Sequence, residues 1–322
     1  MSPPDRRTLS TAPRSTIANI ALSAVALVLS LVLVELALRF AVGLGDPLLY
    51  RSSPLFGYRL QENQLVSRRG IQIKVNNLGL RAETDWDSSR SGKILFLGNS
   101  VTFGGTYLSN TDLFSHTAVA DLPGVVSGNG GVNGWGVENI HALIVDGGFL
   151  PASVYVSVLQ DMDFDRGLSK FAGQPFWSRK PAFALEELAV LSGYHLSMFS
   201  KEGHEQQIRA DEREKRIEKA TIRLKEMDEF LRSQGLAHLL YMSTDTHQLL
   251  EGTPRDTIVS KYLRMYGLQV SYLADRPEIV QLPRSQVEDL FYDWNHLDKE
   301  GHRLWGKMIG EDLKKLLREK RD

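Results

Sequence analysis

The chain has 322 residues, 42% of them hydrophobic and 24% charged, with a formal net charge of −1. That is ordinary globular composition with room for one large domain or two small ones, and it gives no bulk charge for binding nucleic acid. There is no cysteine, which excludes disulfides, thiolate metal sites and a cysteine nucleophile.

Residues 1–15 contain three prolines and several Ser and Thr, and read as a disordered tail. From Thr16 to Val34, "TIANIALSAVALVLSLVLV", no residue is charged, and the apolar pattern continues past Glu35 to Phe40. Such a run can cross a hydrocarbon core of ~30 Å as one helix, so residues 16–42 are expected to be a transmembrane anchor. A cleaved signal peptide is the rival, but its apolar region is usually shorter, and "VELALRFAVG" offers poor cleavage sites. A buried core helix is rarely apolar on every face. Arg6, Arg7 and Arg14 precede the run, whereas Arg39 and Arg51 follow it. That bias points the tail into the cytoplasm and everything later outward. Glu35 and Arg39 are four apart and share a helix face on which they can pair.

Residues 43–91 lack a helical period. "FGYRL", "IQIKV" and "NNLGLRAE" are short and strand-like, with Asn77 and Gly79 as turn formers. They are expected to form a stem that packs on the main domain, residues 92–322. In that domain "KILFLG" reads as a buried strand, "LFSHTAVADL" as a short helix and "GVVSGNGG" as a strand with a glycine-rich exit. "WGVENIHALIVDG" has helical spacing, "SVYVSVL" is a strand of β-formers, and Asp211 to Gln234 is a charged helix. Its apolar positions are Ile217, Ile222, Leu224, Met227, Phe230 and Leu231, and its charges mark a solvated face. "LAHLLYMS" is a further strand, and the chain closes on a helix over "KEGHRLWGKMIGEDLKKLLREK". Strands alternating with helices predict an α/β fold, a parallel sheet covered by helices on both faces. An insertion near residues 167–203 has no place in that pattern.

Ligands of such sheets sit at the carboxyl ends of the strands. Those ends carry Gly98-Asn99-Ser100, the turn from Asn129 to Gly136, and "QDMDFD" from Gln160 to Asp165, with "DWNHLD" (Asp293 to Asp298) ahead of the last helix. A serine hydroxyl needs a base in reach, a carboxylate to orient that base, and donors for the oxyanion that forms. Asp293 and His296 lie close enough for one loop to present both to Ser100. The Ser100 N–H, at a helix start, and one from the glycine turn can meet the oxyanion. The plainer alternatives are a helix-capping Ser100, a structural His296 and a turn-forming Asp293. Asn129 suits fixing the glycine turn better than touching substrate. Asp161, Asp163 and Asp165 have cation-loop spacing but lack the glycine and final Glu of a calcium loop, so no metal is expected. His195, His204 and His247 read as surface residues, and Trp135 and Trp294 flank proposed site residues.

From Lys93 onward, apart from the insertion, the sequence resembles the SGNH/GDSL hydrolases. Their first block corresponds to Gly98-Asn99-Ser100-Val101-Thr102-Phe103-Gly104, their second to Asn129 and Gly134, and their fifth to Asp293-Trp294-Asn295-His296. The resemblance implies a flavodoxin-like three-layer fold and a serine esterase with Ser100, His296 and Asp293 as catalytic residues. It also implies an oxyanion hole from the N–H groups of Ser100 and Gly134, and no cofactor. The anchor ending "ELALRF" and the segment "NNLGLRAE" resemble membrane-anchored bacterial members linked to cell-surface polysaccharides. That implies an inner-membrane protein with a periplasmic or extracellular domain, acting on an acylated small molecule or glycan. Acyl transfer to a glycan and a non-catalytic glycan-binding role are the alternatives. Two departures stand out. Asn99 replaces the usual Asp, and Met162 falls where the third block has an oxyanion-donating Asn, a role a thioether cannot fill. Gln160 is the candidate substitute donor.

Overall fold

The computed structural model describes residues 14–172, 175–201, 210–251 and 257–319. Residues 1–13 of the expected tail, and His204, lie outside these; Arg14 and Ser15 are helical, since nothing in them breaks the helix that follows. Helix α1 (Arg14–Ala37) runs into a π-turn over Leu38–Val42 that stops at Gly43, whose φ of 80° suits a residue without Cβ. Thr16–Val42 is long and apolar enough to cross a membrane, and the protein buries none of its apolar window.

Two antiparallel hairpins follow, β1 (Tyr50–Ser53) with β2 (Gly57–Leu60) and β3 (Gln64–Arg68) with β4 (Ile71–Val75). Beyond β4, Arg81 exchanges backbone hydrogen bonds of 2.9 Å with Asn129 in both directions, joining the second hairpin to the edge of the main sheet. That sheet contains β5 (Lys93–Gly98), β6 (Val126–Asn129), β7 (Val154–Leu159), β8 (Ala237–Met242) and β9 (Ser271–Tyr272). It is parallel throughout, in the order β6-β5-β7-β8-β9. The order reverses between β5 and β7, and the crevice at such a switch point is where open α/β sheets bind ligands.

The helices are α2 (Ser100–Phe103), α3 (Phe114–Thr117), α4 (Val137–His141), α5 (Ala184–Lys201), α6 (Ala210–Ser233), α7 (Thr246–Glu251), α8 (Ile258–Met265), α9 (Pro277–Val280), α10 (Arg284–Glu288) and α11 (Lys299–Glu319). Alternate residues of β5 feed two cores, as the period of a strand requires. Ile94 and Phe96 meet Phe114 of α3 and Trp305, Met308 and Ile309 of α11. Leu95 and Leu97 belong to the opposite core with Ile140 of α4 and Leu224 and Met227 of α6. The stem's Tyr58, Leu60, Val66, Ile73 and Trp86 enter that second core, so the stem and the sheet share one apolar interior.

The charged helix buries Ile217, Leu224, Met227 and Leu231 but leaves Ile222 at the surface. The segment expected as a helix after Trp135 is α for Val137–His141 only and continues as a π-turn to Asp146. β9, the short helices α7 to α10, and α5 within the insertion are additions to the expected pattern.

Candidate active site

Strand β5 delivers Ser100 through a backbone that tolerates no side chain at Gly98, where a Cβ would run into the Val158 carbonyl and the Thr102 hydroxyl. Asn99 caps α2 by accepting the Val101 N–H at 2.8 Å. Ser100, half-buried, is the first residue of that helix. Its Oγ lies 2.8 Å from Nε2 of His296. On the other side of the ring, Nδ1 is 2.8 Å from Oδ2 and 3.1 Å from Oδ1 of Asp293. A carboxylate can only accept, so Nδ1 carries the proton of a neutral ring and Nε2 is left to accept from the serine hydroxyl.

Asp293 Oδ1 also accepts the backbone N–H groups of Asn295 and His296 at 2.9 and 2.8 Å. Partial burial pushes this carboxyl up, but those two donors and the imidazole outweigh it and hold it below the usual carboxylate value. The loop itself is pinned on both sides. The Tyr292 N–H donates to the His296 carbonyl at 2.7 Å, the Thr246 N–H to that of Trp294 at 3.0 Å, and the Tyr107 hydroxyl to that of Leu297 at 2.8 Å.

The glycine turn runs along the end of β5, with Gly130 and Val132 donating to the carbonyls of Phe96 and Gly98 at 2.8 and 3.1 Å. A Cβ on Gly131 would strike the backbone of Thr102 and Phe103. Asn129 is buried inside this turn, donating to the Thr102 carbonyl at 2.6 Å and accepting from the Gly131 N–H at 2.9 Å. Gly134 sits at φ 76°, and its carbonyl accepts the Ser169 hydroxyl at 2.6 Å, which fixes the peptide.

Gln160 is not aimed as an oxyanion donor. It is 4% exposed; its Oε1 accepts from Asn99 Nδ2 at 3.0 Å, and its Nε2 donates to Asn295 Oδ1 at 2.6 Å. The residues beside Ser100 and beside His296 are thereby bridged by one amide. Asn99 Nδ2 also donates to Asp163 Oδ1 at 2.8 Å, and Asp163 further accepts from the Gln160 N–H and from Arg166. Burial raises the Asp163 carboxyl to about 6 even so, against the pull of Arg166, the Gln160 N–H and Asn99. Met162 turns its sulfur to Arg166 Nη2 at 2.9 Å. Asp165 pairs with Arg213 at 2.9 Å, so the three aspartates face different partners rather than one point.

Sequence reasoning missed Asn295 and Arg166, although a buried asparagine inside Asp-x-x-His was open to notice. It also missed Arg81, whose buried guanidinium donates to Asn110 Oδ1 and to the carbonyls of Phe103, Gly105 and Leu108, fastening the chain just after α2. Trp135 is a core residue at 1% exposure, whereas Tyr292 and Trp294 on either side of Asp293 are 63% and 54% exposed. His195 and His247 are at the surface. A second Ser–His–Asp chain exists: Ser157 Oγ lies 2.9 Å from His238 Nε2, whose Nδ1 is 3.0 Å from Asp228. Ser157 is fully buried in the middle of β7, so that set satisfies polar groups inside the sheet and offers no path to a substrate.

No protein-family model and no curated protein matches the chain. Among the solved structures it resembles are two described as proteins of the lipolytic G-D-S-L family. One, from Desulfitobacterium hafniense DCB-2, is 13% identical over 69% of this chain and 99% of its own, with a TM-score of 0.37. Another, from Veillonella parvula DSM 2008, is 13% identical over 67% and 94%, with a TM-score of 0.38. The five-stranded parallel sheet with helices on both faces is the α/β fold expected from the sequence. At such scores the likeness adds nothing to the site, whose reading rests on its own geometry.

Proposed function

We propose that this protein is a membrane-anchored serine esterase or deacylase. The observation that carries the reading is the contact of Ser100 with His296, 196 residues apart in sequence, with Asp293 on the far side of the imidazole. A capping serine, a structural histidine and a turn aspartate have no common reason to line up in this way.

In this mechanism Ser100 Oγ attacks the ester carbonyl carbon while His296 Nε2 takes the hydroxyl proton. Asp293 keeps the imidazole in the correct tautomer and stabilises the imidazolium. The carbonyl oxygen becomes an oxyanion that accepts from the N–H groups of Ser100, which precede the helix's own bonds, and of Gly134. Collapse breaks the bond to the alkoxide, which leaves with the proton from His296. Water then repeats the sequence on the acyl-serine and restores Ser100. With Met162 and Gln160 both directed elsewhere, the oxyanion hole lacks its side-chain donor, and slow turnover follows.

The substrate we favour is an acyl group on a cell-surface glycan, met on the periplasmic side of an inner membrane. Tyr292 and Trp294 support this, since two exposed aromatic faces beside the base suit the apolar faces of sugar rings. A sugar hydroxyl in place of water makes the same site an acyltransferase. The missing side-chain donor favours a second reading, a glycan-binding protein that keeps the fold without the chemistry.

Labelling of the whole protein with a serine-directed fluorophosphonate tests the proposal. The expected result is stoichiometric labelling and slow aryl-ester turnover, both lost in Ser100→Ala. No labelling and no serine-dependent turnover, with retained glycan binding, would establish the binding reading instead.

A further inference from the structure

Beside the outer end of α1 a second apolar surface stands uncovered. Phe183 and, on α5, Leu188, Val190 and Leu196 are 61%, 39%, 43% and 69% exposed. From Leu188 to Ser200 the sequence has no Asp, Glu, Lys or Arg. A helix meant to face water carries charge on its outer side. This one does not.

Its position says what covers it. The Glu35 carboxylate, on α1, accepts the N–H groups of Ala184 and Leu185 at 2.8 and 3.2 Å, capping the first turn of α5. Arg39 holds Glu35 at 2.6 Å and donates to the Ala182 carbonyl at 3.3 Å. One turn further on, Glu187 accepts from the Gly45 N–H and from Arg68, so the start of α5 is tied both to the anchor and to the stem. The span Thr16–Val42 is 27 residues long. At ~1.5 Å per residue it measures ~40 Å, against a hydrocarbon core of ~30 Å. The surplus of roughly two turns puts Glu35 to Val42 at the boundary between acyl chains and headgroups. α5 therefore starts at that boundary with its apolar residues uncovered.

We infer that α5 lies in the membrane interface, with Leu188 and Leu196, which share one side of the helix, in contact with lipid, as a second attachment beside the anchor. This rests on the reading of Thr16–Val42 as a membrane span. The two contacts together fix the tilt of the domain over the bilayer, which a single helix and a free stem would leave open.

Because the chain has no cysteine, single-cysteine labelling is clean. The full chain, carrying Leu196→Cys with an environment-sensitive nitrobenzoxadiazole label, is reconstituted in vesicles of equal parts phosphatidylcholine and phosphatidylglycerol. Leu29→Cys within α1 and Met265→Cys on α8, a residue 65% exposed, serve as lipid and water references. The expected result is blue-shifted emission at position 196, quenched by lipids spin-labelled near the headgroup, and quenching at position 29 by lipids spin-labelled deep in the acyl chain, while position 265 is quenched by neither. An added Leu196→Glu in a Leu188→Cys background is expected to lift the label at 188 out of the lipid. Position 196 behaving like 265 while 29 is quenched overturns the inference and leaves the anchor standing. Blue-shifted but unquenched emission at 196 means a protein covers α5, which also overturns it. If 29 is unquenched as well, the anchor reading fails and the interface helix fails with it.

Discussion

The orientation of one amide decides how Ser100 and His296 are kept in register. The Val101 N–H must donate, so it fixes the Asn99 oxygen towards α2 and turns Asn99 Nδ2 to Gln160 Oε1. Gln160 then has only its Nε2 for Asn295, next to His296. We expect Gln160→Leu to remove both bonds and lower kcat for an aryl ester by ~10-fold or more while KM moves little, because geometry rather than binding is lost. An equal kcat in this variant would show that the bridge does not position the pair. Met162 poses the opposite question. With Gln160 engaged elsewhere, Met162→Asn supplies the absent donor, and turnover should rise by up to ~10²-fold if the new amide reaches the oxyanion. Unchanged turnover in a folded variant would mean that another group already fills the hole. The meeting of Ser100, Asp293 and His296 was legible because few residue types suit a serine, a base and its orienting carboxylate. Gln160 was noticed as a donor candidate, but its engagement with Asn99 and Asn295 was not foreseen, since a sequence does not say where an amide points. Asn295 was passed over because it lies between two residues with stronger chemical signatures.

Helix α11 approaches α3 through glycines. A Cβ at Gly306 would overlap the Thr117 side chain, and one at Gly310 would come within 2.8 Å of the Ala118 carbonyl. This close approach carries Trp305, Met308 and Ile309 into the core beneath the loop that bears His296. Gly306→Val is therefore expected to destabilise by about 1–3 kcal/mol through overpacking. It should appear as a lower Tm, with loss of labelling at Ser100 only as the protein unfolds. The long helices α6 and α11 and the strands β5, β7 and β8 were legible because each presents a sustained apolar period to a core. β9 and the helices α7 to α10 were not. At two to eight residues each they are too short to display a sustained period, and their turns are set by neighbours distant in sequence. α5 escaped for another reason, since Leu188, Val190 and Leu196 are exposed rather than packed into a core.

Two buried groups give the fold opposing responses to acid. Burial, then the nearby Arg81 and His296, pushes His302 from 6.5 down to about 3, so between those values the unfolded chain binds more protons and stability falls as pH falls. Asp163 is raised from 3.8 to about 6, so over that window the folded state binds more protons and stability rises as pH falls. The two offset each other between about 6 and 3.8, and below that only the loss at His302 continues. Urea midpoints should thus change little from these groups across the middle window and drop more steeply below it. His302→Asn retains an acceptor for the Phe114 N–H, which His302 Nδ1 now takes at 3.1 Å. This variant is expected to lose stability at neutral pH through poorer packing but to show a shallower fall in acid. A midpoint curve parallel to wild type would remove His302 as the acid-sensitive group.

The shared interior of stem and sheet sets the smallest piece of this chain that can be handled in water. Cutting just before β5, where the Ser100 block begins, would expose Leu95, Leu97 and Tyr155 on one side of the sheet. It would also leave Asn110 and the carbonyls of Phe103, Gly105 and Leu108 without Arg81. A chain beginning at Gly92 should accumulate as insoluble aggregate. One beginning at Gly43 drops α1 but keeps both hairpins, and should be monodisperse and retain fluorophosphonate labelling. Soluble, labelled protein from the shorter piece would mean that residues 43–91 are a dispensable spacer. If the longer piece alone survives, the hairpins are part of the folded body, and the smallest soluble piece starts near Gly43 rather than at the Ser100 block.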